Sequence, residues 1–174
     1  MSPIAGPTLV IVGPPGAGKT TVATLLAERL GVDVRDTDAD VEATTGMTVP
    51  DIFVEKGEST FRELEEEAVA KALVDHDGVL ALGGGAVLSE RTREALRPHR
   101  VLYLEVGLTS AVRRVGLGAA RPLLLGNVRS TLKRLLDERA PLYQDVADIT
   151  INTDDVDAVA VVDRVIDELR GTNA

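Results

Sequence analysis

The chain has 174 residues, of which 44% are apolar, 27% charged and only 2% aromatic, with a formal charge of −9. One domain is expected at this length, large enough to remove about two-thirds of its unfolded surface from water. The acidic balance argues against a polyanionic partner or an acidic membrane surface, whose field repels it, but leaves room for a small anion in a local cationic pocket.

Short apolar runs alternate with amphipathic segments, without repeats or low-complexity tracts, which is the pattern of a parallel α/β sheet. Thr8 to Val12, TLVIV, is a β-branched strand buried on both faces and ending at Gly13. Thr20 to Leu30 has helical composition and stops at Gly31, a C′ residue. Val32 to Asp36, VDVRD, supplies a second strand, and a short helix from Asp38 to Thr45 stops at Gly46. Thr48 and Asp51 form a capping pair that opens another helix, with Pro50 in its first turn. From Glu58 to Val74 the apolar positions Phe61, Leu64, Ala68 and Ala72 follow a helical period.

Three more strands are expected at Gly78 to Leu82, Arg100 to Val106 and Asp148 to Asn152, with helices near 89–97, 109–115, 128–138 and 155–170. Between two of those helices, Gly116 to Asn127, GLGAARPLLLGN, shows no clear period and reads as a mobile flap. The lack of Cys excludes disulfides and thiolate metal sites, and fits a reducing compartment. His76 and His99 lie in polar surroundings and read as solvated rather than as ligands. No run approaches the ~18 apolar residues of a membrane span, and MSPIAGPTLVIVG lacks the basic region of a secretory signal. A soluble, unprocessed, cytoplasmic protein is expected, bound to neither nucleic acid nor membrane, since stacking aromatics are scarce as well.

Gly13-Pro14-Pro15-Gly16-Ala17-Gly18-Lys19-Thr20 matches GxxxxGK[ST], with a strand before it and a helix after it. Stripped of side chains, the loop turns its backbone N–H groups onto phosphate oxygens, and the helix N-terminus adds partial positive charge. Lys19 reaches the β and γ phosphates of a nucleoside triphosphate, and the Thr20 hydroxyl ligates Mg²⁺. Gly13, Gly16, Ala17, Gly18, Lys19, Thr20 and Thr21 are therefore candidate ATP-binding residues, and Lys19 a catalytic one.

Asp36-Thr37-Asp38 falls at the carboxyl end of a strand, the edge at which ligands sit in an open parallel sheet. One carboxylate there can hold Mg²⁺ through water while the other orients an attacking hydroxyl; either can instead cap the following helix. Arg62, Arg114, Arg121 and Arg139 are scattered along the chain, and any one alone reads as a surface ion-pair partner, Arg62 having Glu66 at i+4. Together they are the bidentate, always-charged donors that a carboxylate-bearing acceptor needs. Leu82-Gly83-Gly84-Gly85-Ala86-Val87 is a second glycine loop, on whose bare backbone a second molecule can lie; a tight turn with positive φ is the alternative.

In combination and in this order, GPPGAGKTT, DTDADVE, DIFVEKGESTFRELEEEAV, LALGGGAVL, RPLL and ERAPLY resemble the shikimate kinases, small P-loop enzymes of the nucleoside monophosphate kinase-like group. The resemblance covers nearly the whole chain. It implies a three-layer α/β/α P-loop kinase fold with a central five-stranded parallel sheet and a mobile lid, about 116–127, within a single domain whose acceptor region spans about 38–76. It implies transfer of the ATP γ-phosphoryl group to the 3-hydroxyl of shikimate, with Mg²⁺, in a monomer serving aromatic amino acid biosynthesis. By position, Asp38 binds the shikimate hydroxyls and acts as base or orienter, while Asp36 assists Mg²⁺ beside Thr20. Arg62 and Arg139 grip the carboxylate, and Gly83, Gly84 and Gly85 contact the ring substituents. Arg121 closes with the flap on the transferring phosphate, and Arg114 lies along the adenine.

The sequence departs from the family after its last strand, where NTDDVDAV replaces a basic residue and a proline, so base recognition differs in detail. The family's usual lack of a Walker B aspartate is shared, LGGG standing in its place. Two other readings compete: a kinase for another small polar acceptor such as gluconate or a nucleoside monophosphate, and a nucleotide-dependent switch without transfer activity. The pairing of GESTFRELE with GGGAV weighs against the first, and the joint presence of Lys19, Thr20, Asp38 and Arg121 against the second.

Overall fold

The computed structural model describes residues 6–117 and 128–171. Its elements follow in the order β1 (Leu9–Val12), α1 (Lys19–Leu30), β2 (Val34–Asp36), α2 (Thr37–Thr45), α3 (Val49–Lys56), α4 (Glu58–Asp75), β3 (Val79–Ala81) and a 3₁₀ turn (Ala86–Leu88). There follow α5 (Glu90–Leu96), β4 (Val101–Glu105), α6 (Leu108–Leu117), α7 (Val128–Val146), β5 (Ile149–Asn152) and α8 (Ala158–Gly171). The strands pair in parallel in the order β2-β3-β1-β4-β5.

The run that announced itself as a doubly buried strand occupies the middle of the sheet. Leu9 and Ile11 point into a core shared with α1 and α8, while Val10 and Val12 point into a second core shared with α4, α5 and α7. Side chains alternate along a strand, so an unbroken apolar run needs helices on both faces. The result is the expected three-layer α/β/α arrangement. A smaller cluster of Val41, Ile52 and Phe61 joins α2, α3 and α4. The long α4 thus belongs to two cores: Phe61 anchors one end in that cluster, and Val69, Ala72 and Leu73 anchor the other on the sheet.

Most element ends follow their local chemistry. Gly31 closes α1 in the left-handed conformation with φ 69°, and the Thr48 hydroxyl accepts the Asp51 N–H at 3.2 Å with Pro50 in the first turn of α3. Four expectations need correction. The second strand begins at Val34 rather than Val32, because the Val32 N–H is still bonded to the Ala27 carbonyl at 3.0 Å as part of the α1 terminus. The last helix begins at Ala158 rather than near 155; Asp155 takes φ 57°, and Asp157 caps the helix by accepting the Ala160 N–H at 2.8 Å.

The helix expected to stop at 138 continues through Pro141 to Val146. Beyond the proline it buries Tyr143 and Val146 among Tyr103, Val101 and the 3₁₀ turn. Burying such side chains is worth about 1.5–3 kcal/mol each, enough to offset an interior proline that costs about 3 kcal/mol. His76 is buried, not solvated: it follows α4 and its Nε2 lies 3.0 Å from the Val79 carbonyl oxygen. Among the described residues no helix is long and apolar enough to cross a membrane.

Gly78, at the start of β3, passes so close to β2 that an added Cβ would overlap the backbone of Asp33, whose carbonyl accepts the Val79 N–H at 2.9 Å. Gly78→Ala is expected to cost about 1–3 kcal/mol, the usual penalty of overpacking a site that cannot give way. A urea denaturation midpoint equal to that of the parent chain would show that β2 can yield.

Candidate active site

Parallel pairing brings three chemically distinct loops to one edge of the sheet. Ile11 of β1 and Asp36 of β2 both stand in register with Ala81 of β3. The loops that follow, Gly13–Gly18, Asp36–Asp38 and Gly83–Gly85, therefore leave side by side at the carboxyl ends of the strands.

The first loop ends at Gly18, which precedes α1 with φ 85° and ψ 27°, a conformation costly to a residue with a Cβ. No side chain caps this helix, so the N–H groups of its first turn, at Lys19, Thr20 and Thr21, stay open at a positive helix end. Lys19 folds back over the loop, donating to the Gly13 carbonyl at 2.7 Å and the Pro14 carbonyl at 3.0 Å. Burial pulls its ammonium down to about pKa 8, against the attraction of Asp38 and Asp36, with Arg139 adding a small push in the same direction. Thr20 lies exposed on the first turn.

Beside the loop, Ala17, Gly18, Thr21, Val22, Arg114 and Thr153 line a cavity of about 250 Å³. Arg114 is locked at its rim, giving one guanidinium nitrogen to the Gly16 carbonyl (2.9 Å) and the Thr153 hydroxyl (3.0 Å) and the other to the Thr153 carbonyl (2.8 Å). In the atypical segment after β5, both carboxylate oxygens of Asp154 accept the Gly107 N–H, at 3.0 and 3.1 Å. That acidic residue is spent on joining two loops rather than on facing the cavity.

In the second loop the two aspartates divide. Asp36 caps α2, its Oδ1 accepting the N–H groups of Asp38 (2.8 Å) and Ala39 (3.4 Å). Asp38 points inward, and its Oδ1 is buried with no partner among the described residues. Burial first, and then the neighbouring Asp36 charge, hold its carboxyl above the usual range; Lys19 and, more weakly, Arg62 pull the other way. Thr37 between them is fully buried, and its hydroxyl accepts the Gly83 N–H at 3.3 Å, tying the acidic loop to the second glycine loop.

Charged side chains close in on the glycines of the second loop. A Cβ on Gly83 would stand 2.6 Å from Asp38 Oδ1 and 2.9 Å from Glu65 Oε2, and one on Gly85 would collide with the Arg62 guanidinium. Arg62 lies over the rings of Phe61 and Phe53, at 5.3 and 5.8 Å, donates to Glu65 at 2.8 Å and reaches Glu58 at 3.4 Å. Its Nε is buried without a partner among the described residues. The expected pairing with Glu66 is not made: Glu66 accepts from Ser89 at 2.6 Å and meets Arg91 at 3.2 Å. Glu65, one residue earlier, is on the buried side of α4, and burial raises its carboxyl above the usual range although Arg62 opposes this.

Arg139 of α7 lies near enough for its charge to act on Lys19, Glu65 and Tyr143, and Arg62 acts on the last two as well. Glu65 and Tyr143 are the residues that sequence reasoning missed. A carboxylate at i+3 from Arg62 signals the first as strongly as i+4 signalled Glu66, whereas Tyr143 was hidden by a helix ended too early. Arg121 and most of the segment 116–127 lie outside the described residues.

The sequence model of the shikimate kinase family matches residues 15–170. The chain is 56% identical to a shikimate kinase of Saccharopolyspora erythraea over 169 residues, 97% of each protein, and 61% identical to one of Thermobifida fusca over 147 residues, 84% of this chain and 86% of that one. The solved structure of shikimate kinase from Acinetobacter baumannii in complex with shikimate superposes with a TM-score of 0.89 at 36% identity, covering 97% of this chain and 94% of that one. A shikimate kinase from Aquifex aeolicus superposes with a TM-score of 0.83 at 27% identity, covering 95% and 97%.

Lys19 is expected to lose its proton near pH 8 in the ligand-free chain, measurable from the pH dependence of its acylation. Because Asp38 is the charge that most holds the proton on, Asp38→Asn should lower that midpoint further. A midpoint that stayed put or rose would separate the two groups.

Proposed function

The chain belongs to the shikimate kinase family, and from that premise we propose that it transfers the γ-phosphoryl group of ATP to the 3-hydroxyl of shikimate, giving shikimate 3-phosphate and ADP in aromatic amino acid biosynthesis. The residue roles rest on one observation above all: a buried carboxylate oxygen with no partner among the described residues, Asp38 Oδ1, within the field of Lys19 after the first glycine loop and Arg62 beside the second. A buried acceptor group is costly to leave unmatched, and an acceptor hydroxyl matches it.

Asp38 accepts the hydrogen of the attacking hydroxyl and aims its oxygen in line with the γ-phosphorus. Its raised pKa makes it a better base than an exposed aspartate, while the Lys19 charge keeps it from being neutralised altogether. Lys19 leaves the Gly13 and Pro14 carbonyls for the β and γ phosphates, regaining as a cation what burial took away. Arg62 and Arg139 bind the acceptor carboxylate, and Gly83 to Gly85 admit the ring against backbone. In such a displacement, positioning and charge neutralisation carry most of the acceleration. Arg114 flanks the cavity that takes the adenosine, and Arg121 joins the proposal through the family resemblance alone.

Mg²⁺ completes the set. It is held by one or two protein oxygens and by substrate phosphates rather than by an all-protein cage. The donors here fit that habit: the exposed Thr20 hydroxyl lies on the open first turn of α1, and the Asp36 carboxylate, close enough for its charge to act on Lys19, has Oδ1 in the α2 cap. Held there, the ion would supply positive charge to offset that of the triphosphate. A single cytoplasmic kinase domain acting as a monomer, with α2 to α4 as its acceptor side and 116–127 as its lid, goes with this reading.

A coupled ADP-release assay with and without shikimate, with product identified by mass, tests the assignment; ADP release indifferent to shikimate would refute it. Asp38→Asn should lower kcat by about 10²–10⁴ and leave the KM for ATP within about threefold. In the parent chain the acid limb of kcat should lie above the ordinary carboxylate range, since protonating Asp38 removes the base. Arg62→Lys should raise the KM for shikimate by roughly tenfold or more while sparing that for ATP, a point charge being a poor substitute for a planar fork. Equal losses for both substrates would place Arg62 elsewhere.

A further inference from the structure

We propose that Tyr143 is a positioning residue for the acceptor pocket: its hydroxyl couples Arg139 on α7 to the Gly83–Gly85 loop, so that the two parts keep one relative geometry. The inference rests on the reading of Arg139 and that loop as acceptor-binding.

Tyr143 is almost fully buried, and its hydroxyl donates to the Gly84 carbonyl at 2.5 Å. The Arg139 guanidinium lies beside the same oxygen, and burial pushes the phenol up to about pKa 12, so it stays a neutral donor. A phenolic oxygen has one hydrogen to give and lone pairs to offer. Here the hydrogen is committed to the loop and the lone pairs are left to the arginine. The ring itself is held against Tyr103 of β4, with centroids 5.0 Å apart and planes inclined by 27°. An inner strand therefore holds the tyrosine ring, and the tyrosine hydroxyl reaches the loop while lying within the field of Arg139.

The consequence for the loop follows from peptide geometry. No described peptide bond is cis, so the Gly84 carbonyl and the Gly85 N–H point opposite ways. Holding the carbonyl toward α7 turns that N–H away from α7. At the other end Thr37 holds the Gly83 N–H. The 3₁₀ turn holds the Gly83 and Gly85 carbonyls, at 3.1 Å to the Ala86 N–H and 3.0 Å to the Leu88 N–H; with Thr37 on the Gly83 N–H and Tyr143 on the Gly84 carbonyl, three residues that carry no side chains offer a fixed backbone surface. Preorganisation of this kind raises affinity for whatever rests on the loop without any contact from Tyr143 itself.

A tyrosine that merely satisfies its hydroxyl inside the core would affect stability and nothing else. The test is Tyr143→Phe, which keeps the ring and removes the relay, compared with the parent chain and with Tyr103→Phe. For Tyr143→Phe the KM for shikimate is expected to rise roughly tenfold, the usual worth of one buried hydrogen bond, with the KM for ATP within about twofold. Tyr103→Phe should leave the ratio of the two KM values unchanged. A Tyr143→Phe enzyme that loses thermal stability with both KM values unaltered overturns the proposal. If the parent chain releases no shikimate-dependent ADP, the reading beneath it fails instead.

A second measurement does not depend on that variant folding. The chain has two tyrosines, so 3-fluorotyrosine in a Tyr103→Phe background labels Tyr143 alone. Its ¹⁹F resonance should shift on adding shikimate without nucleotide; a resonance indifferent to shikimate also overturns the proposal.

Discussion

A carboxylate pressed against bare backbone governs this site. Asp38 Oδ1 and Glu65 Oε2 come so near to Gly83 that a Cβ there would stand 2.6 and 2.9 Å from them and would displace them. Burial holds both carboxyls above the usual range, helped by the Asp36 charge at Asp38 and by the Asp38 charge at Glu65. They tolerate each other because cations alternate with them: Lys19 beside Asp38, Arg62 beside Glu65, and Arg139 within reach of Lys19 and Glu65. The ligand-free pocket is thus a lattice of opposed charges in which several hydrogen-bonding positions stay open.

Such an arrangement explains how a chain of net charge −9 receives two anionic substrates. The overall field repels them, but the field that matters at contact comes from three cations and an uncapped helix end inside one cleft. Burial lowers the lysine to about pKa 8 against the pull of Asp38 and Asp36, and bound phosphate would favour its charged form again. Selectivity between the two halves follows from shape. The loop before α1 presents N–H groups to tetrahedral oxygens, whereas the loop after β3 presents flat backbone flanked by planar guanidinium groups, suited to a ring bearing a carboxylate.

The sheet and nearly all its helices were legible because each rests on local chemistry: TLVIV has no polar face to expose, Gly31 ends a helix, and Thr48 caps one. The glycine loops and both aspartates were found for the same reason. What escaped depends on tertiary contacts. Glu65 and Glu66 differ by one position on α4, and only packing decides which faces Arg62. Asp36 turned out to cap α2, an alternative the residues had left open. Pro141 ends helices by its own propensity, and only the buried Tyr143 beyond it shows why this helix goes on. His76 sits among charges in the sequence yet is buried against the Val79 carbonyl at the start of β3.

The most direct measurement is the structure of the chain crystallised with shikimate and a non-hydrolysable ATP analogue. The 3-hydroxyl oxygen is expected within about 3 Å of Asp38 Oδ1, with the carboxylate on Arg62 and Arg139. Shikimate bound away from Gly83, with Asp38 Oδ1 still unmatched, would contradict the assignment of this cleft.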